Sequence, residues 1–309
     1  MEDILAIVVP VFIVVGAGYL AVWRGLFSAA GVDGLMSFTQ KFAIPCLLFS
    51  AIATLDLGAD FDLALLGSYY TGSTVAFFGT MLGARYGFGR PWVDSVVIGF
   101  CALFANSVLL GLAIGERAYG IESLGPNYAI VAVHAPFCYL LGIVTMEIVR
   151  AERGGVALAG TVARAIFRNA LMIGIGLGFA VNLTGLPVPT MIEEALALMI
   201  RAALPAALFG LGGVLYRYKP QGDAGVIAMI CTVSLLVHPA IAWGLGSTLG
   251  GLSQEQMRAA VITAAMAPGV NTYIFADMYG AARRVVASSI LIGTALTVLT
   301  ASAWIWVLG

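Results

Sequence analysis

Asn106-Ser107 and Asn271-Thr272 stand 165 positions apart, each an amide followed by a hydroxyl residue inside a long apolar run. Beside the second pair, Pro268 lacks a backbone N–H and Gly269 frees the chain, so the hydrogen bonds of a local helix cannot all close there. Unpaired backbone in apolar surroundings must face a ligand, water or neighbouring protein. Helix N-termini opened by such a break expose amide donors and a partial positive charge, which suits a carboxylate, and the two asparagines add neutral donors. The chemistry implied is the holding of an anion without a full countercharge. One asparagine alone reads as interhelical glue, worth about 0.6 kcal/mol on average. Two at matching positions beside a Pro-Gly break favour a ligand site made of Asn106, Ser107, Pro268, Gly269, Val270, Asn271 and Thr272.

The elements that carry these residues belong to a membrane. Apolar residues make up 61% of the 309-residue chain and charged residues 10%, with a mean hydropathy of +1.00. Those values lie outside the range of a soluble domain. Reading apolar runs against breakers gives ten spans, near 4–23, 34–54, 63–84, 95–114, 128–149, 169–186, 191–215, 224–248, 257–279 and 285–308. The expected fold is an all-α polytopic bundle with almost no extramembrane domain, in which the chemistry lies within the bundle. An amphipathic stretch from Val156 to Arg168 reads as an interfacial linker helix.

Positive charge separates cleanly along this map. Connections on one side hold Arg24, Arg85, Arg90, Arg150, Arg153, Arg164, Arg168, Arg217, Lys219, Arg283 and Arg284, whereas the other side holds only Arg117 and Arg258. Because basic residues stay cytoplasmic, both termini are expected outside the cytoplasm of a cell-membrane protein. The separation also supports the count of ten, since a wrong count would scramble it.

A second correspondence joins the halves. Lys41-Phe42-Ala43-Ile44-Pro45-Cys46-Leu47-Leu48-Phe49 recurs 160 positions later as Arg201-Ala202-Ala203-Leu204-Pro205-Ala206-Ala207-Leu208-Phe209. Ordinary proline kinks are common in membrane helices, but Ala, Pro, Leu and Phe agree in register and a cation precedes each proline by four. With five spans per half the repeat is inverted: a first repeat over 1–150, the linker over 151–168 and a second repeat over 169–309. Duplicated, interrupted apolar helices point to a solute carrier.

Other conspicuous residues carry two readings. His134, at membrane depth, either carries a coupling proton or helps hold an anion, or else it is a neutral histidine donating to a backbone carbonyl freed by Pro136. His238, beside Pro239, reads as structural. Lys41 and Arg201 reach the interfaces by snorkelling or pair within the bundle. Asp277 is placed to pair with Arg283 or Arg284, and Asp56, Asp60 and Asp62 read as a solvated loop without calcium-type spacing. Cys46, Cys101, Cys138 and Cys231 lie in apolar runs without paired or metal-type spacing and read as packing residues.

Ala43-Ile44-Pro45-Cys46-Leu47-Leu48-Phe49, the asparagine of span four, Arg168-Asn169 and Pro268-Gly269-Val270-Asn271 with Phe275-Ala276-Asp277-Met278-Tyr279 resemble the auxin efflux carrier family over essentially the whole chain. That family includes bacterial malate and malonate permease-like proteins and the plant auxin transporters. The resemblance implies crossed, discontinuous helices four and nine with substrate at the crossing, and a homodimer. It also implies a scaffold of spans one, two, six and seven and a moving transport domain of spans three to five and eight to ten. It assigns the substrate carboxylate to Asn106 and the Pro268 to Asn271 segment. Ser50 would face it from the scaffold, and His134 and Tyr139 occupy the family's polar and tyrosine positions in span five. Two departures stand out: span four has Ala105 and Gly111-Leu112-Ala113 where a proline is usual, implying a gentler kink than in span nine, and plant members carry a neutral amide where His134 stands.

These readings favour a carrier of small organic anions, mono- or dicarboxylates, moving by alternating access. Coupling to protons or sodium stays open, and no cofactor or nucleic-acid partner is indicated. The rival readings are a sodium-coupled organic-anion symporter of the bile-acid-transporter type and a non-transporting membrane receptor. A Walker motif, a His-Glu-x-x-His and a Gly-x-Ser-x-Gly are all absent from the sequence, which argues against a pump or a hydrolase.

Overall fold

The computed structural model describes residues 2–150, 160, 169–248 and 251–309. The expected linker helix from Val156 to Arg168 therefore lies outside the described residues, apart from Gly160. Among the described residues the chain is helical throughout, without a strand. Six helical stretches are long and apolar enough to cross a bilayer: Ile4–Trp23, Ala29–Ala53, Ile121–Arg150, Thr190–Arg217, Ala224–Thr248 and Arg283–Leu308. This is the architecture of a multi-pass membrane protein.

In chain order the helices are α1 (Glu2–Trp23), α2 (Ala29–Phe38), α3 (Ile44–Ala53), α4 (Leu63–Leu82), α5 (Trp92–Leu103), α6 (Ala113–Tyr119) and α7 (Gly125–Arg150). They continue as α8 (Ala170–Thr184), α9 (Thr190–Arg217), α10 (Ala224–Thr232), α11 (His238–Thr248), α12 (Gln254–Ala264), α13 (Asn271–Tyr279) and α14 (Arg283–Leu308). Single π-helical turns join some of them end to end: Thr39–Ala43 between α2 and α3, Val233–Val237 between α10 and α11, and Ser107–Leu112 leading into α6.

Local chemistry sets where helices begin. Asp62 accepts from the amides of Ala64 and Leu65 at 2.5 and 3.2 Å, Asn169 from Leu171 at 3.0 Å, and Asp223 from Gly225 and Val226 at 2.9 and 3.4 Å. Ser253 and Gln256 form a reciprocal capping box at the start of α12. Pro10 inside α1 supplies no N–H, so the carbonyl of Ala6 loses its helical donor. Arg117, at the end of α6, donates to that carbonyl at 3.1 Å and to Ile7 at 2.8 Å. Asp277 pairs with Arg283 at 2.9 Å, as the sequence suggests.

Glycines let four helices approach backbone to backbone. A Cβ on Gly18 of α1 would overlap the carbonyl oxygen of Phe209 in α9, and one on Gly178 of α8 would come within 2.8 Å of the carbonyl oxygen of Phe49 in α3. Gly18 and Gly178 are 160 positions apart, as are Phe49 and Phe209. Close packing of small residues is how helices associate where lipid removes the hydrophobic drive. Asn182 of α8 completes its contact by donating to the carbonyls of Ile52, Ala53 and Leu55 at 3.0, 3.2 and 2.7 Å, where α3 ends.

Span four is interrupted like span nine, though over fewer residues, 104–106 against 265–270. α5 stops at Leu103 and helical structure resumes at Ser107, although no proline lies in between. The break is made by a partner: Asn106 donates its backbone N–H to Ala267 at 2.8 Å, and Gly269 donates to Phe104 at 2.8 Å. Ala105 and Pro268 thus form an isolated antiparallel bridge between two interrupted helices. Each interruption satisfies backbone groups of the other, and leaving such groups unpaired in apolar surroundings costs several kcal/mol each.

Candidate functional site

Two breaks, Phe104–Asn106 and Ala265–Val270, meet in the interior. Phe100 of α5 stacks on Phe275 of α13 with centroids 3.8 Å apart and planes 11° apart, locking the two helices together behind the bridge. Thr272 donates its hydroxyl to the carbonyl of Gly269 at 2.7 Å and is fully buried, so it braces the turn. The Ser107 amide donates to Ala105 at 2.8 Å, while the carbonyl of Asn106 accepts from Leu110 and Gly111 at 3.2 and 3.1 Å. After the second break, the amides of Thr272 and Tyr273 donate to Gly269 and Val270, each at 3.0 Å.

A cavity of about 80 Å³ opens beside the bridge. The candidates Asn106, Ser107, Gly269, Val270 and Asn271 line it, with Pro268 and Thr272 supporting it from behind. Among the described residues, no acidic, basic or histidine side chain is part of its lining. Asn106 is 5% exposed and its side-chain nitrogen has no hydrogen-bond partner. A buried amide donor left unpaired costs about 1–3 kcal/mol, which a bound acceptor would recover.

Two further amides reach this cavity that the motif reading did not name as site residues: Gln40 and Asn169. Gln40 lies in the π-helical turn Thr39–Ala43 just before Pro45, and such turns displace side chains from the regular helical register. Asn169 uses its carbonyl oxygen to cap α8, accepting from Leu171 at 3.0 Å, so its NH2 group stays available as a donor. Gln40, one residue before a conspicuous lysine in an apolar run, was the signal in the sequence.

Besides Pro268 and Thr272, three candidates lie outside the cavity lining. Ser50 lies in α3, where its backbone carbonyl accepts from the Thr54 hydroxyl at 3.1 Å. Tyr139 packs its ring 5.7 and 5.8 Å from Phe100 and Phe104. His134 sits behind the crossing, edge-on to Phe104 at 4.8 Å, with Nδ1 3.5 Å from the Tyr69 hydroxyl. The carbonyl it approaches is that of Ala105 in the bridge, not one freed by Pro136. His238 continues this polar seam: its Nε2 lies 3.0 Å from Ser73 Oγ and 3.3 Å from the Tyr69 carbonyl. Because a carbonyl only accepts, that Nε2 carries the proton and Nδ1 is bare.

Lys41 and Arg201 also lie outside this lining. Arg201 instead lines a second cavity of about 430 Å³ with Val11, Glu116, Arg117, Ile200 and Leu204. A larger groove of about 590 Å³ between α10, the turn Val233–Val237 and α14 is lined chiefly by aliphatic side chains such as Ile227, Leu235 and Leu296. Among the described residues no group of histidine, cysteine and acidic side chains is placed to hold a metal ion.

A multi-pass helical bundle with two interrupted helices crossing at a buried polar cavity is the construction of a membrane transporter. Comparison with known sequences agrees: the profile of the family described as membrane transport protein matches residues 3–305, and the chain belongs to this family, that of the auxin efflux carriers. It is a transporter and not an enzyme. A Rhizobium meliloti (strain 1021) protein named "Putative malonate transporter" is 23% identical over 320 residues, covering 100% of this chain and 97% of that one. The mouse lysosomal cholesterol signaling protein is 25% identical over 95% of this chain, which spans only 36% of the mouse protein. Auxin efflux carrier component 5 of Arabidopsis thaliana is 26% identical over 124 residues, 40% of this chain and 35% of its own.

Proposed function

We propose that this protein is a secondary carrier of small organic anions, whose carboxylate is held at the helix crossing by Asn106 and Asn271. The observation that carries this reading is the buried amide nitrogen of Asn106, without a partner among the described residues, beside a cavity whose described lining holds no charged side chain. An acceptor is what such a donor lacks, and neutral donors hold an anion while still releasing it.

The ten spans form two inverted repeats of five, with α1, α2–α3, α8 and α9 as scaffold and the remainder as transport domain. Support comes from the mirrored contacts of Gly18 with Phe209 and Gly178 with Phe49. The two cavities add to it. Gln40, Ile44 and Leu171 line the crossing cavity, and Ile200, Leu204 and Val11, each 160 positions from its counterpart, line the cavity of Arg201. Such mates are the expected entrances of an alternating-access carrier, one facing each side. By the same reading the protein resides in the cell membrane with both termini extracytoplasmic, as a homodimer.

The test is uptake and counterflow in proteoliposomes loaded with malonate, succinate, acetate or indole-3-acetate. Saturable counterflow of at least one acid, lost in Asn271→Ala protein that still folds, is the expected result. Binding without flux would move the reading to a receptor, and equal flux in Asn271→Ala would remove the crossing as the site.

A further inference from the structure

We infer that the cavity of Arg201 is a second anion site of this carrier, a waiting site about one helical turn from the crossing, where the Arg201 guanidinium takes hold of a carboxylate before the crossing asparagines do. The inference rests on the crossing site proposed above and adds a binding residue on its other approach.

Arg201 lies eleven residues after Thr190, about 16 Å along the 28-residue α9, and so near the middle of a span. A cation at that depth is costly against lipid and as a rule faces a partner or a water-filled cavity. Among the described residues neither a hydrogen bond nor an ion pair engages Arg201, and its side chain is exposed. It lines the cavity of about 430 Å³ together with Glu116, Arg117 and Tyr128. Three charged side chains around one space call for water there, not acyl chains. The two arginines differ in what they are already bound to. Arg117 donates Nε to the carbonyl of Ile7 and a terminal nitrogen to that of Ala6, which ties it to α1. Arg201 keeps its whole planar fork of five N–H donors, a geometry that matches a carboxylate. Glu116 lines the same cavity without forming an ion pair with it, so two arginines against one glutamate leave the described lining net positive.

The cavity lies next to the crossing. Along α3 the crossing cavity takes in Ile44 and the Arg201 cavity takes in Leu47; along span four they take in Leu109 and Ala113. On both elements the two spaces are roughly 5 Å apart, about one helical turn. A displacement of the crossing by that turn against α3 hands an anion from one space to the other. The charge is also one-sided. Lys41, 160 positions before Arg201, lies outside the crossing lining, whose described residues are all neutral. A permanent cation thus stands on one approach, where it captures, and neutral amides stand at the crossing, where the anion must also be let go.

The experiment is exchange of radiolabelled malonate, with acetate as a second probe, in membrane vesicles of the two opposite orientations. Each holds a saturating concentration of the acid inside while the outside concentration is varied, so that the KM of each face is read separately. The melting temperature without ligand reports whether each variant folds. Arg201→Gln should raise KM roughly tenfold or more in one orientation only, the one that presents the Arg201 cavity outward, with the maximal rate retained. Arg201→Lys keeps the charge and should recover most of that loss. In the double variant Glu116→Gln with Arg201→Gln, KM should stay raised. An unchanged KM on both faces, an equal rise on both, or no recovery by lysine refutes the second site. A double variant that returns to the wild-type KM also refutes it, since Arg201 would then only balance Glu116. The crossing site stands through each of these results as long as Asn271→Ala abolishes exchange. Wild-type vesicles that exchange neither acid overturn the crossing site and the second site together.

Discussion

The backbone N–H of Asn106 donates to the carbonyl of Ala267 at 2.8 Å, so the break in one half of the chain aims a side chain of the other. Alanine at Asn106 keeps that backbone bond and removes only the unpaired side-chain donor. The expected outcome is a ligand-free melting temperature equal to or above wild type, with anion affinity weaker by about 1.5–3 kcal/mol, the worth of a hydrogen bond to a charged group. A drop in melting temperature with unchanged affinity would make Asn106 a structural amide.

Gly18 and Gly16 sit on the same helix but differ in surroundings. A Cβ at Gly18 collides with the backbone of Phe209, whereas one at Gly16 meets nothing within 4 Å. Gly18→Ala should cost about 1–3 kcal/mol through overpacking, while Gly16→Ala should be neutral or gain up to about 1 kcal/mol in helix propensity. Thermal unfolding in detergent, followed by circular dichroism, measures the contrast.

His134 packs behind the bridge, edge-on to Phe104 at 4.8 Å. The polar groups facing it are Tyr69 and Tyr70 from α4, Cys138 on its own helix and, across the Tyr69 ring, His238 from α11. Glutamine in its place hydrogen-bonds but does not titrate. Uptake by His134→Gln should persist, with a pH profile altered from that of wild type if His134 carries a proton during transport. An unaltered profile assigns His134 to bracing alone.

Asp223 caps α10 and pairs with Arg90 at 3.1 Å outside the spans. Partial desolvation pulls its carboxyl upward, but the amides of Val226 and Gly225 and the Arg90 guanidinium outweigh that and hold it below the ordinary 3.8. A lowered pKa means stability that is complete above the ordinary value and lost as pH falls through the lowered one. Asp223→Asn should therefore melt below wild type at neutral pH and converge with it in strong acid. Parallel melting curves at every pH would show that the charge contributes nothing.

Much of this architecture was legible in residue types alone. Helix starts at Asp62, Asp223 and Ser253, the Asp277–Arg283 pair and the break at Pro268-Gly269 follow from local rules, because their causes lie within a few residues. The break at Ala105 was not legible, since nothing local makes it: the Ala267 and Phe104 carbonyls that satisfy the two amides come from opposite halves. Gln40 and Asn169 escaped for a similar reason. Their positions in the cavity depend on a π-helical turn and on a helix end meeting the crossing, both products of tertiary contact. Ser50 follows Pro45 in the sequence, whereas the π-helical turn before that proline places Gln40 in the cavity lining.

The reciprocal bridge between Ala105 and Pro268 also constrains how the protein is made. During synthesis the first interrupted helix enters the bilayer well before residues 265–270 exist, and in that interval its open amides and carbonyls have no partner of their own. Lipid offers none. The early product must therefore stay as a continuous helix, or remain sheltered by the insertion machinery, until its counterpart arrives. The crossing is then a late event in biogenesis, and a chain truncated before Ala267 would be inserted but never assembled.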